Sequence, residues 1–240
     1  MFDLKECETI IQKALQEGRS SLLIHESQQI CKLHQIPTPF SYVVQNVDEA
    51  IVKGKEIGFP VVLKIVSPQV LHKSDVGGVI LGVQDEAAIN EAYPKLIADV
   101  RKKEPKAKIL GVLIEKMMPS STEVIVGGVR DSQFGPSVMF GMGGIFTEVY
   151  KDVAFRVAPV DKIDALSLIH ELRGSRILEG IRGQPPANID ELVGILMDVS
   201  SLMLQHSTVS QLDLNPVIAY PDGACAVDTR IVLAKNDGGM

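Results

Sequence analysis

Leu212-Asp213-Leu214-Asn215-Pro216, with Asp228-Thr229-Arg230 a short way beyond it, is the stretch that decides how this chain is read. Asp213 and Asn215 alternate with leucines. A strand points successive side chains to opposite faces, so both polar groups leave from one face. Pro221-Asp222, between the two segments, reads as a two-residue turn. Such a turn sets Tyr220 opposite Gly223, Asn215 opposite Asp228 and Arg230 opposite Asp213. Opposed residues have Cβ atoms about 5 Å apart on a shared face. Two carboxylates and an amide oxygen then gather around one point, with no thiol or imidazole among them. A few hard oxygen donors suit Mg²⁺ completed by phosphate and water. The alternatives are polar residues beside the turn of an exposed hairpin and, for Arg230, a plain cross-strand salt bridge.

Working outward, Lys64 stands inside the apolar strand Val61-Val62-Leu63-Lys64-Ile65-Val66. A buried ammonium needs a fixed anion, and a nucleotide phosphate would serve. The alternative is an edge strand with Lys64 turned to water. One short loop downstream comes His72-Lys73-Ser74-Asp75-Val76-Gly77-Gly78-Val79. Its glycines let backbone N–H groups approach phosphate oxygens, and His72 and Lys73 add donors. The Walker spacing is absent, and Gly141-Met142-Gly143-Gly144 does not follow the dinucleotide fingerprint. Glu115 ends an apolar strand and Glu123 follows it. Acids there can accept from a purine amine or a ribose hydroxyl, although either is also an ordinary surface acid. Met117, Met118 and Met139 read as core or purine-cleft packing. His25, His34, His170 and His206 lie in or beside helices without metal partners at useful spacing, and read as structural or solvent-facing.

Hydrophobic periodicity predicts helices ending near Gly18 and spanning 26–33, 48–57, 85–102, 162–172 and 190–204. Pro94 is the obstacle inside the fourth. Strands are expected over 40–44, 61–66, 77–83, 109–116, 123–129, 137–140 and 155–160, with a closing hairpin. Strand pairs mixed with helices in both halves predict an α+β fold of two lobes, hinged near Met117-Met118-Pro119-Ser120. The expected division is an N-terminal helix (1–20), a subdomain with the phosphate loop (21–116), a subdomain with the Mg²⁺ site (117–235) and a tail (236–240).

The 240 residues are 45% hydrophobic and 22% charged, with a net charge of −6. That balance argues for a folded domain and offers no electrostatic footprint for nucleic acid or an anionic membrane. No apolar run reaches the roughly 18 residues of a membrane helix. Cys7, Cys31 and Cys225 are odd in number and widely spaced, which fits a reducing cytoplasm. No signal-peptide core opens the chain.

The order lysine strand, glycine loop, two glutamates, Asp-Leu-Asn-Pro and a later aspartate resembles an ATP-grasp fold. More closely, it resembles the β subunits of ADP-forming acetyl-CoA synthetases, relatives of succinyl-CoA synthetase. The most specific pieces are the segments 71–79, 140–144 and 212–216, and the resemblance covers roughly residues 20 to 235. It implies two α/β lobes with the nucleotide between them. Lys64 would contact phosphates, the loop with His72, Lys73, Ser74, Gly77 and Gly78 would lie over them, Glu115 with the backbone through Met118 would read the base, and Glu123 the ribose. Asn215 and Asp228 match Mg²⁺ ligands. Asp213 falls where succinyl-CoA synthetases carry a glutamate that steadies a phosphohistidine, and its shorter side chain departs from that pattern. His72 matches a histidine that relays phosphate. The implied partner is a CoA-binding α subunit with the principal phosphohistidine, in an α2β2 assembly. The implied reaction is acyl-CoA + ADP + phosphate ⇌ carboxylic acid + ATP + CoA. Two rivals are an ATP-grasp ligase complete in this chain and a sensor subunit that binds Mg-ATP but transfers nothing.

Overall fold

The computed structural model describes residues 4–144, 152–181 and 185–234. Its helices are α1 (Leu4–Gln16), α2 (Ile24–Leu33), α3 (Val47–Ile57), α4 (Glu86–Lys103), α5 (Lys162–Glu171) and α6 (Ile189–Gln205). Its strands are β1 (Ser41–Val44), β2 (Val61–Val66), β3 (Val79–Val83), β4 (Gly111–Lys116), β5 (Thr122–Asp131), β6 (Gly135–Met142), β7 (Val153–Val157), β8 (Val209–Tyr220), β9 (Gly223–Ala226) and β10 (Thr229–Leu233). The α+β expectation therefore holds. The tail expected at 236–240 and part of the loop around Gly183-Gln184 lie outside the described residues.

The chain divides into two compact units. The first takes residues 23–25 and 39–119 and holds an antiparallel sheet in the order β1-β4-β2-β3. Asn46 caps α3 by accepting from the Glu49 N–H, and Gly58 closes it at φ +82°. Asp85 caps α4 through the Ala88 N–H at 2.8 Å, and that helix runs unbroken past Pro94. Leu63, Ile65 and Ile114 from the sheet share a core with Ile89 and Leu96 from α4. β2 has neighbours on both sides and is buried throughout, so it is not the edge strand that the alternative reading of Lys64 required.

The second unit takes segments within 4–22, 26–38 and 120–234. Its antiparallel sheet runs β10-β8-β5-β6-β7, with β9 also paired to β8. α6 buries Leu196, Val199, Leu202 and Met203 in one core with Val126, Val138 and Phe140 of the sheet. Residues 26–38, grouped with the first sheet in the sequence reading, bury Ile30, Cys31 and Ile36 in this core. The bridge between Ser21 and Val232, and the Leu22 N–H bond to the Ile231 carbonyl, attach the N-terminal segment to the same sheet. Between β5 and β6, the Asp131 carboxylate accepts from the Gln133 and Phe134 N–H groups and shapes the turn, while Gly135 takes φ +79°.

Candidate functional site

In the first unit Lys64 Nζ lies 2.6 Å from Glu115 Oε1, and both side chains are buried, at 7% and 2% exposure. The register explains the meeting. Lys64 pairs with Leu113, so Glu115 is its diagonal neighbour on the same face, within reach of a long side chain. Each ion thus has an opposite charge, which offsets the desolvation that either would suffer alone. Glu115 was expected to read a purine, and its carboxylate is held against the lysine instead of projecting alone. Beyond it, Lys116 Nζ donates to the Gly58 carbonyl at 2.8 Å and the Met117 N–H to that of Pro60 at 3.2 Å. These bonds tie down the backbone that leads to the half-buried Met118.

The glycine loop is built differently from the expectation. Residues 74–76 form a 3-10 turn, so β3 begins at Val79 and not at Gly77. Gly77 takes φ +73°, which favours glycine, and its N–H donates to the Ser74 carbonyl. The Gly78 N–H donates to the Lys73 carbonyl at 2.7 Å. Both amides are spent inside the loop, so the two glycines supply shape and not phosphate donors. At Gly78 a Cβ would lie 2.7 Å from Ile65 Cγ2, and only glycine lets the loop press against β2. The carbonyl of Gly78 accepts from the Ile65 N–H at 2.8 Å, which seats the loop beside Lys64. His72 and Ser74 are exposed on this loop and Lys73 is half-buried.

In the second unit the closing hairpin has the expected register. Tyr220 pairs with Gly223 and Val217 with Ala226; past a gap, Leu214 pairs with Thr229 and Asp213 with Arg230. The Asn215 N–H donates to the Asp228 carbonyl at 3.2 Å, so these residues stand opposite each other. Leu212 and Leu214 are buried, whereas Asn215 is exposed and Asp213 and Asp228 are half-buried. The Thr229 N–H donates to Asp228 Oδ1 at 3.1 Å and orients that carboxylate. Arg230 Nε is buried and has no hydrogen-bond partner among the described residues. A buried guanidinium nitrogen in that condition calls for an acceptor. By strand register Asp213, Asn215 and Asp228 carry oxygens that could hold Mg²⁺, and Arg230 opposite Asp213 could meet an anion. Glu123 is exposed on β5, opposite Ile218 of β8, and its backbone carbonyl accepts from the Gly143 N–H at 2.8 Å. A Cβ on Gly143 would lie 2.7 Å from Glu123 Cβ, which accounts for a glycine in the 140–144 segment.

Two histidines read as bland come together. His34 Nε2 lies 3.0 Å from His206 Nε2 in the interior, with Cys7 beside them. Burial, with His206 adjacent, pushes the His34 imidazole down to about 4. Burial lowers His206 as well, partly opposed by Glu8. No spacing in the sequence could have paired residues so far apart.

These antiparallel sheets, with a lysine–glutamate pair and a glycine-shaped loop on one and an Asp-Leu-Asn-Pro hairpin on the other, define an ATP-grasp protein. The family model described as an ATP-grasp domain matches residues 13–233, and the chain belongs to that family. It is 47% identical over 224 residues to the ADP-forming acetate–CoA ligase I subunit beta of Pyrococcus furiosus, covering 93% of this chain and 96% of that one. It is 44% identical to the ADP-forming acetate–CoA ligase I of Archaeoglobus fulgidus, covering 96% of this chain but only 33% of that longer protein. Among solved structures it matches the Ca. Korarchaeum cryptofilum dinucleotide-forming acetyl-coenzyme A synthetase 1 in complex with coenzyme A and Mg-AMPPCP, with its phosphohistidine segment pointing towards the nucleotide binding site. That match has a TM-score of 0.84 at 41% identity and covers 95% of this chain and 100% of the other. Among the described residues no helix is long and apolar enough to cross a membrane.

Proposed function

We propose that this chain is the nucleotide-binding β subunit of an ADP-forming acyl-CoA synthetase, exchanging a phosphoryl group between a phosphohistidine and ADP or ATP. The observation that carries the reading is the 47% identity to the Pyrococcus beta subunit across nearly the whole of both chains. The 33% share of the Archaeoglobus protein supports a division of labour, in which the rest of the reaction belongs to an α partner that binds CoA.

The residues of this chain would act as follows. Lys64, steadied by Glu115, presents positive charge to the nucleotide phosphates, with Lys73 and Ser74 adding donors from the loop. Glu115, the backbone through Met118 and Glu123 bound the base and the ribose. Asn215 and Asp228 would hold Mg²⁺, which neutralises charge on the transferring phosphate when bound. Arg230 Nε, buried beside that set, supplies the acceptor-seeking cation for an anionic ligand. His72 is exposed on its loop, and a neutral imidazole is a competent nucleophile near pH 7. It takes the phosphoryl group from the partner's phosphohistidine as one N–P bond replaces another, and then gives it to an ADP oxygen. Asp213 orients the arriving phosphohistidine, and the assembly is α2β2 in the cytoplasm.

The test incubates the purified chain with γ-labelled ATP and Mg²⁺, with and without the α partner, beside His72→Asn. Acid-labile, base-stable label on this chain, lost in the variant, is expected. Label on the partner alone, unchanged by the variant, removes His72 from the route while keeping the synthetase. No label on either chain, despite nucleotide binding, sinks the phosphohistidine mechanism.

A further inference from the structure

Cys7 on α1, His34 just past α2 and His206 just past α6 converge inside the second unit. The thiol and one ring nitrogen of each histidine lie within 4.8 Å of one another. Cys7 and His34 are fully buried and His206 is 4% exposed. The imidazole rings stand edge to face, 82° apart, and meet Nε2 to Nε2 at 3.0 Å. The three residues come from distant parts of the sequence, so no local turn forces the convergence.

The same three atoms are the donor types that zinc selects, a thiolate sulfur and two imidazole nitrogens. Two nitrogens bound to one tetrahedral zinc at about 2.0–2.1 Å stand about 3.3 Å apart, so the pair need open only by tenths of an ångström. The second histidine is also held in place by its backbone. The His206 N–H donates to the Leu202 carbonyl at 3.0 Å, and its carbonyl accepts from Arg130 Nη2 at 3.1 Å. Arg130 Nε reaches the Val209 carbonyl as well, at 3.2 Å. We infer that Cys7, His34 and His206 form a structural zinc site that ties α1 to the end of α2 and to the end of α6. On binding, the Cys7 S–H bond is replaced by an S–Zn bond and the proton leaves to solvent. Each ring binds through Nε2, so a proton carried there shifts to Nδ1 of the same ring. The site staples the first helix of the chain to its second core, a role separate from phosphoryl transfer.

The test expresses the full chain in zinc-supplemented medium, dialyses it against EDTA and measures metal by mass spectrometry. About one zinc per chain is expected in the wild type and in Cys225→Ala, and almost none in Cys7→Ala or His206→Gln. Zinc should raise the melting temperature of the wild type but not of Cys7→Ala. Protein grown in cobalt should show a thiolate-to-cobalt charge-transfer band, absent from Cys7→Ala. If the variants fail to fold, the cobalt spectrum of the wild type decides alone. Folded wild type without metal, a cobalt spectrum lacking the thiolate band, or zinc retained in folded Cys7→Ala overturns the site.

Discussion

Glu115 Oε1 lies 2.6 Å from Lys64 Nζ, across two central strands of an antiparallel sheet and almost out of reach of water. The pair joins a stability question to a functional one, because the lysine proposed to meet phosphates is already held by a carboxylate. Glu115→Gln leaves a buried ammonium with a weaker partner and should cost ~3 kcal/mol. Lys64→Met should cost a similar amount by stranding the carboxylate. The double variant Lys64→Met/Glu115→Gln should lose much less than the sum, because neither ion is then left alone. Urea denaturation of the four proteins measures the coupling, and additive losses would show that the pair is not coupled.

The Asn215–Asp228 hairpin separates metal from fold. Both side chains are at least partly exposed, so Asn215→Ala and Asp228→Ala should melt close to the wild type. Affinity for ADP with Mg²⁺ should fall about tenfold or more in each, ~1.4 kcal/mol, with little change when EDTA replaces Mg²⁺. Calorimetric titration in the two buffers reads the difference. Equal loss in both would assign these residues to the nucleotide itself.

At Gly78 a methyl group would meet Ile65 Cγ2 at 2.7 Å and the Lys73 carbonyl at 2.9 Å. Gly78→Ala should therefore push the loop off β2 and destabilise by ~1–3 kcal/mol, the usual range for overpacking. Phosphate exchange should fall further than stability does, because His72, Lys73 and Ser74 move with the loop. A melting curve and a labelled-phosphate exchange assay on one preparation compare the two losses, and unchanged exchange would uncouple the loop from transfer.

Asp198 on α6 is half-buried, and burial, with Glu191 on the same helix, pushes its carboxyl up to about 6. A carboxyl protonated more readily in the folded than in the unfolded state stabilises the fold below its unfolded value near 4. That contribution is lost as pH rises through about 6. Asp198→Asn should thus raise stability by ~1 kcal/mol at pH about 7.5 and change it little near pH about 4, allowing for solvent screening. Urea titrations at the two pH values check this, and an equal gain at both would point to packing instead of ionisation.

Much of the scaffold was legible because its local chemistry agrees with its fold. Asp85 opens the helix expected over 85–102, and its carboxylate accepts from the N–H three residues on. Val61–Val66 reads as a strand and is one, to the residue. The turn at Pro221-Asp222 was enough to set Asn215 against Asp228, because period two leaves no freedom once the turn is chosen. The glycine loop was legible in position but not in role. A glycine pair in a sequence cannot say whether its amides face a ligand or close a 3-10 turn.

By itself, then, the sequence determined the element types, the hairpin register and the family, all of which rest on local spacing and on motif identity. Only the tertiary structure decided who pairs with whom. It put Glu115 on Lys64, the N-terminal helices into the second core, and Cys7 beside His34 and His206. Those meetings follow from how strands pair and helices pack across long stretches of chain, and residue spacing carries no information about contacts that only a closed core creates.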